Sequence, residues 1–185
     1  MNKSTKLWTI GHSNHPTDRF LALLQQHGIE TVVDVRSQPY SRFSPHFRQS
    51  RLRDLLSEIG IGYLFLGDEL GGRPKEPELY DDAGNVLYDR VARTRRFANG
   101  LRRLMATAAT QQVAAMCSEE DPTRCHRRLL ITQALLNDDA PPTVMHIRGD
   151  SQLVSESEME THELTAGPQL ALFDEDSSAP VRHRR

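Results

Sequence analysis

Apolar runs and helically spaced leucines alternate along most of the chain. Leu7-Trp8-Thr9-Ile10 closes on Gly11 and predicts a short buried strand. Phe20, Leu21, Leu23, Leu24 and His27 then share one side of a helix that Thr17 would cap and Gly28 would end. Thr31-Val32-Val33-Asp34-Val35 is β-branched without polar alternation, the pattern of a central strand covered on both faces. Leu52, Leu55, Leu56 and Ile59 repeat the helical spacing behind Ser50 as cap; Gly60 stops that helix and Ile61 to Leu66 reads as a third strand. Residues 67–88 hold Gly71-Gly72, Pro74, Pro77 and the turn-forming Asp82-Ala83-Gly84-Asn85, a long excursion of the kind that often carries function. Beyond it the pattern predicts a helix from about Arg90 to Ala109, a strand over Val113–Met116, a helix over 124–136 and a strand over Thr143–Ile147.

Strand and helix in strict alternation give an α/β fold. Right-handed crossovers make a doubly wound, mostly parallel five-stranded sheet with helices on both faces the simplest closure, as a single domain over residues 1–149. From residue 150 to 185 the composition shifts to Ser, Glu, Asp, Pro and Gly, so that stretch is expected to be an acidic, largely disordered tail. Its eight acids and three arginines leave the rest of the chain mildly basic, although the overall charge is −2. The lysines are only Lys3, Lys6 and Lys75, so the positive charge is almost all guanidinium, suited to forked contacts with phosphate or carboxylate. No apolar run approaches the roughly 20 residues that cross a bilayer, so no membrane role is expected. Two cysteines eight positions apart, behind a charged start with no signal-like stretch, point to the cytoplasm.

Ligands of open parallel sheets sit beyond the carboxyl ends of the strands. The unusual residues fall there: Gly11, His12 and Ser13 after the first strand, Asp34 and Arg36 at the second, Gly71 and Gly72 after the third, and Cys117, Glu119, Cys125, His126 and Arg127 after the fourth. Cys117 or Cys125 could act as nucleophile and Glu119 and Asp34 as acid and base, with His126 a further catalytic candidate. Gly11, His12, Ser13, Arg36, Arg42, Gly71, Gly72 and Arg127 would bind an anionic substrate. The structural alternatives are buried cysteines that merely pack and ion pairs, Asp34 with Arg36 or Glu119 with Arg127, that hold loops. Six residues separate Cys117 from Arg124, one more than in the Cys-x5-Arg loop of protein phosphatases, so that chemistry is not inferred. His12, Cys117, Cys125, His126 and His146 offer zinc-binding atoms, yet none shows a short Cys-x2-Cys or His-x3-His spacing, and no metal or cofactor is expected. The run from Tyr40 to Arg48 interleaves aromatics and cations, which suits either stacked bases or a lid in which Phe43 and Phe47 cover the sheet edge.

Thr9-Ile10-Gly11-His12-Ser13, Asp34-Val35-Arg36 with Pro39, Leu70-Gly71-Gly72, Met116-Cys117-Ser118-Glu119, Cys125-His126-Arg127 and His146-Ile147 together resemble the bacterial and archaeal domain of unknown function 488 family. Ser118 stands where that pattern usually has alanine. The resemblance implies an α/β fold with a polar rim and supplies no reaction. In the tail, Gln169, Leu170, Leu172 and Phe173 form a Gln-Leu-x-Leu-Phe peptide followed by three acids. It resembles the peptide by which bacterial repair and replication proteins bind the DNA sliding clamp. The expectation is therefore a protein acting on DNA or nucleotides in DNA repair or maintenance, tethered to the clamp. A thiol-dependent or acid/base enzyme on a small anionic metabolite, or a binding module without chemistry, stands as the alternative.

Overall fold

A computed structural model describes residues 5–42 and 44–165. Its sheet contains β1 (Lys6–Gly11), β2 (Thr31–Asp34), β3 (Gly62–Phe65), β4 (Val113–Cys117), β5 (Thr143–Ile147) and β6 (Leu153–Ser155), in the order β3-β2-β4-β1-β5-β6. Every pairing is parallel except that of β6 with β5. The lack of polar alternation in β2 and β4 is explained by their position, since every residue of both strands is buried.

Neighbouring residues on these strands serve opposite layers. Val32, Ala114 and Met116 pack with Phe20, Leu23 and Leu24 of α1 (Thr17–Gln26) and Leu52 and Leu56 of α2 (Gln49–Glu58). Val33, Val113 and Ala115 pack on the other side. There they meet the short α3 (Gly67–Leu70) and α4 (Tyr88–Ala92), then α5 (Arg95–Ala108) and the helix that runs as a π-helix over Arg127–Thr132 into α6 (Gln133–Leu136). The chain thus steps outward from β1 through β2 to β3 with its helices on one face, and returns through β4 to β5 on the other. Adjacent β1 and β4 send their connections to opposite faces, which opens a crevice at their carboxyl ends.

Several sequence expectations are corrected. A sixth strand and α7 (Glu156–Thr165) continue the folded structure past residue 149. What holds them is polar: Glu156, 3% exposed, accepts from Arg128 Nε at 2.8 Å and lies 2.7 Å from His146 Nε2, while Glu163 accepts from both Arg128 Nη atoms. A composition that signals disorder through lack of apolar residues cannot register such an anchor. The helix expected from Arg90 to Ala109 is two, because the Thr94 hydroxyl caps α5 by accepting from the Phe97 amide. Thr17 and Ser50 lie inside their helices; the residues at the caps are Pro16 and Arg48. No helix among the described residues is long and apolar enough to cross a membrane. The peptide at 169–173 and Phe43 lie outside the described residues.

Candidate functional site

At the crevice, β4 ends in Cys117, whose carbonyl accepts from the His12 amide, and the chain turns through residues 118–124 to return Cys125 and His126 beside it. The turn is set locally by Asp121, which caps the 3-10 turn Pro122–Arg124 by accepting from the Thr123 amide at 3.0 Å. It is set from below by Arg127, 1% exposed, which donates to the carbonyls of Glu119 and Glu120 and to the Thr9 hydroxyl. Gly11 completes the fit: a Cβ there would stand 1.9 Å from the Glu119 carbonyl oxygen.

This loop brings two thiols against one imidazole. His126 Nε2 lies 3.0 Å from the Val35 carbonyl, which can only accept, so that nitrogen carries the proton. Nδ1 of the neutral ring then presents a lone pair 3.5 Å from Cys117 Sγ and 4.0 Å from Cys125 Sγ. The two sulfurs are unequal. A hydrogen bond from Cys125 above all, then the charge of Arg127 and the amides of Ser118 and Glu119, bring the Cys117 thiol down to about 7 against the opposing effect of burial. The same contact with Cys117, followed by burial, pushes the Cys125 thiol up to about 12. Gly72 backs the imidazole so closely that a Cβ would lie 2.5 Å from His126 Cγ.

Above the pair opens a cavity of about 340 Å³, within the small-molecule range. Cys117, Cys125 and His126 line it together with the exposed side chains of Arg73, Arg124 and Glu119. Tyr88 borders it too, its hydroxyl pushed up by burial and by both cysteines. Cys117 Sγ, Cys125 Sγ and a His126 ring nitrogen all lie within 4.8 Å of one another, a set that could hold a metal ion.

The family model described as domain of unknown function DUF488 matches residues 16–134, well over half of the chain. The chain belongs to this family. No curated protein and no solved structure matches it. The matched segment of the DUF488 domain includes Asp34, Arg36, Cys117, Glu119, Cys125 and His126; His12, just after β1, and His146 on β5 lie outside it.

Not every rim residue of the DUF488 domain faces the cavity. Asp34, expected as an acid or base, is 0% exposed and committed to neighbours: its carboxylate accepts from Arg36 Nε at 2.9 Å, Arg36 Nη2 at 2.6 Å and the Tyr63 hydroxyl at 2.6 Å. Arg36 touches the cavity wall, but its guanidinium is committed, with Nη1 donating to His12 Nε2 at 3.0 Å. His12 therefore stays neutral and donates from Nδ1 to the Ser13 carbonyl; burial and then Arg36 hold it down to about 4. Arg127 binds loop carbonyls where the sequence suggested a bound anion or an ion pair with Glu119, whose carboxylate makes no hydrogen bond among the described residues. Gly11 and Gly71 serve close packing, since a Cβ on Gly71 would lie 2.4 Å from Ser37 Oγ. Ser13 and Arg42 lie outside the cavity lining. Phe47 is buried and stacks on His12 at 4.2 Å, so the basic loop covers the sheet edge and does not present that ring to bases. Arg73 and Tyr88 were missed. Arg73 follows Gly71-Gly72 directly, a legible signal, whereas nothing in the sequence marks Tyr88 beyond its place at the end of the long excursion.

Proposed function

We propose that this protein is a thiol-dependent enzyme acting on a small anionic substrate, with Cys117 as nucleophile. The observation that carries the reading is the Cys117 to His126 contact, its tautomer fixed by the Val35 carbonyl, at the floor of a cavity edged by Arg73 and Arg124. Those two cations have no ion-pair partner among the described residues and supply the charge for a phosphate or carboxylate. In the reaction, the Cys117 sulfur bonds to the electrophilic atom of the substrate as its proton passes to His126 Nδ1, and that proton leaves with the departing group. Water, activated by the Glu119 carboxylate, then cleaves the adduct and restores the thiol. The cavity volume favours a metabolite or mononucleotide over a duplex.

Turnover of small phosphorylated or carboxylated esters is expected to fall by at least about 100-fold in Cys117→Ser. In Arg73→Ala/Arg124→Ala the loss should appear in KM, by about tenfold for each charge removed at low salt. A Cys117→Ser protein with full turnover would overturn the reading.

The sequence Gln169-Leu170-Ala171-Leu172-Phe173 supports a second element, attachment to a bacterial sliding clamp, which would set the chemistry in DNA repair or maintenance. Leu172→Ala with Phe173→Ala is expected to abolish clamp binding in a pull-down of the full chain; undiminished binding would remove this element and leave the enzyme reading intact.

A further inference from the structure

Two thiols and an imidazole nitrogen converge here with no carboxylate among them, a donor set that suits zinc and other thiophilic ions rather than calcium or magnesium. Tetrahedral zinc, with Zn–S about 2.3 Å and Zn–N about 2.0–2.1 Å, requires sulfur and nitrogen ligands about 3.5 Å apart. Cys117 Sγ and Cys125 Sγ stand 3.5 and 4.0 Å from His126 Nδ1. The outer contact is in place as well: a metal-bound histidine usually donates its other ring N–H to a carbonyl or carboxylate, and His126 Nε2 donates to the Val35 carbonyl at 3.0 Å. All three ligand residues are buried, and all three border the cavity, so a fourth position on the ion would open toward substrate or water. Sequence spacing hid this set because the two halves are joined by the 118–124 loop, whose path depends on Arg127 holding the Glu119 and Glu120 carbonyls.

We infer that Cys117 Sγ, Cys125 Sγ and His126 Nδ1 bind one Zn²⁺ ion, with the fourth position open to the cavity, and that the bound ion silences the thiol centre. The silencing rests on the thiol-enzyme reading above, while the binding does not. Zinc takes both electron pairs that the reaction needs, the Cys117 sulfur pair and the Nδ1 pair of His126. Binding releases any thiol protons the two cysteines carry, up to two per ion, and changes no oxidation state. The two thiolates neutralise the dication, so the pocket keeps the positive edge given by Arg73 and Arg124.

The test uses the full chain, stripped with a chelator, loaded with zinc chloride and freed of excess metal by gel filtration. One zinc per chain is expected in the unaltered protein, falling to a small fraction in Cys125→Ala and in His126→Gln. Cobalt guards against variants that fail to fold. In the unaltered protein Co²⁺ should give tetrahedral visible bands and a near-ultraviolet thiolate-to-metal band of two-sulfur intensity. A chain that emerges metal-free, or a cobalt spectrum without the thiolate band, would overturn the site. Zinc loading is further expected to protect Cys117 from iodoacetamide, with chelator restoring the reaction. Unchanged alkylation of a loaded chain would overturn the silencing. If zinc instead raises ester turnover, the site stands and silencing falls, together with the nucleophilic role of Cys117. If zinc binds but Cys117 is inert in the stripped chain, the thiol reading fails alone.

Discussion

Asparagine in place of Asp34 is expected to destabilise the domain by about 3–5 kcal/mol, the cost of breaking a buried ion pair from one side. Asp34 is fully buried and Arg36 is 4% exposed, so neither charge has water to fall back on. The carboxylate accepts both guanidinium donors, the Arg36 amide at 3.1 Å and the Tyr63 hydroxyl. An asparagine amide keeps the shape but offers one acceptor oxygen in place of two and turns a donor NH2 toward groups that also donate. Arg36 would be left as a buried cation without its counter-charge, with one amide oxygen and His12 Nε2 as neutral acceptors. The effect should appear as a lower urea midpoint with unchanged slope. An Asp34→Asn protein of full stability but lost activity would mean instead that this carboxylate carries protons in the reaction. A partial rescue sharpens the reading. Arg36→Met in the same chain removes the stranded charge and should recover part of the loss, and the recovered part measures the coupling between the two residues.

The ion pair also marks where sequence reading stops. The β-branched run of β2, the leucine spacing of α1 and α2 and the helix-ending Gly28 and Gly60, both at positive φ, encode local conformation, and the α/β layering follows from them. Placement of polar residues on the carboxyl rim was legible for a related reason, since strand ends are read from where apolar runs stop. Whether a rim residue faces a ligand or the protein depends on neighbours far along the chain. Asp34 looks like a catalytic acid until Tyr63 of β3 is seen at 2.6 Å. Arg127 looks like an anion binder until its reach to Thr9, 118 positions away, and to the loop carbonyls is known. Cys117 and His126 were identified from sequence, but their contact across the loop was not. The end of the fold was misplaced because Glu156 joins it through Arg128 and His146, and a buried carboxylate among exposed acids looks like a surface charge in a sequence. Acidic composition separates solvated from packed segments only where packing is apolar.

Iodoacetamide at pH 7 is expected to modify Cys117 in the metal-free protein at least about tenfold faster than Cys125, although both are buried. The Cys125 S–H donates to Cys117, which lowers one thiol to about 7 and, with burial, raises the other to about 12. Cys117 therefore carries more thiolate at neutral pH than Cys125, and the higher intrinsic nucleophilicity of the more basic thiol returns only part of that difference. Access adds to the preference: Cys117 is 6% exposed and Cys125 2%. Peptide mapping of singly alkylated protein measures the ratio directly. Cys125→Ala is the informative variant. It deletes the foremost source of Cys117 acidity while leaving Arg127 and the Ser118 and Glu119 amides in place, so alkylation of Cys117 at pH 7 should slow and its pH midpoint should move upward. If Cys125→Ala leaves the rate untouched, the acidity of Cys117 comes from the arginine and the loop amides. If Cys125 is the faster thiol in the unaltered chain, the roles of the two sulfurs are exchanged and the nucleophile at the cavity floor is the helix-borne one.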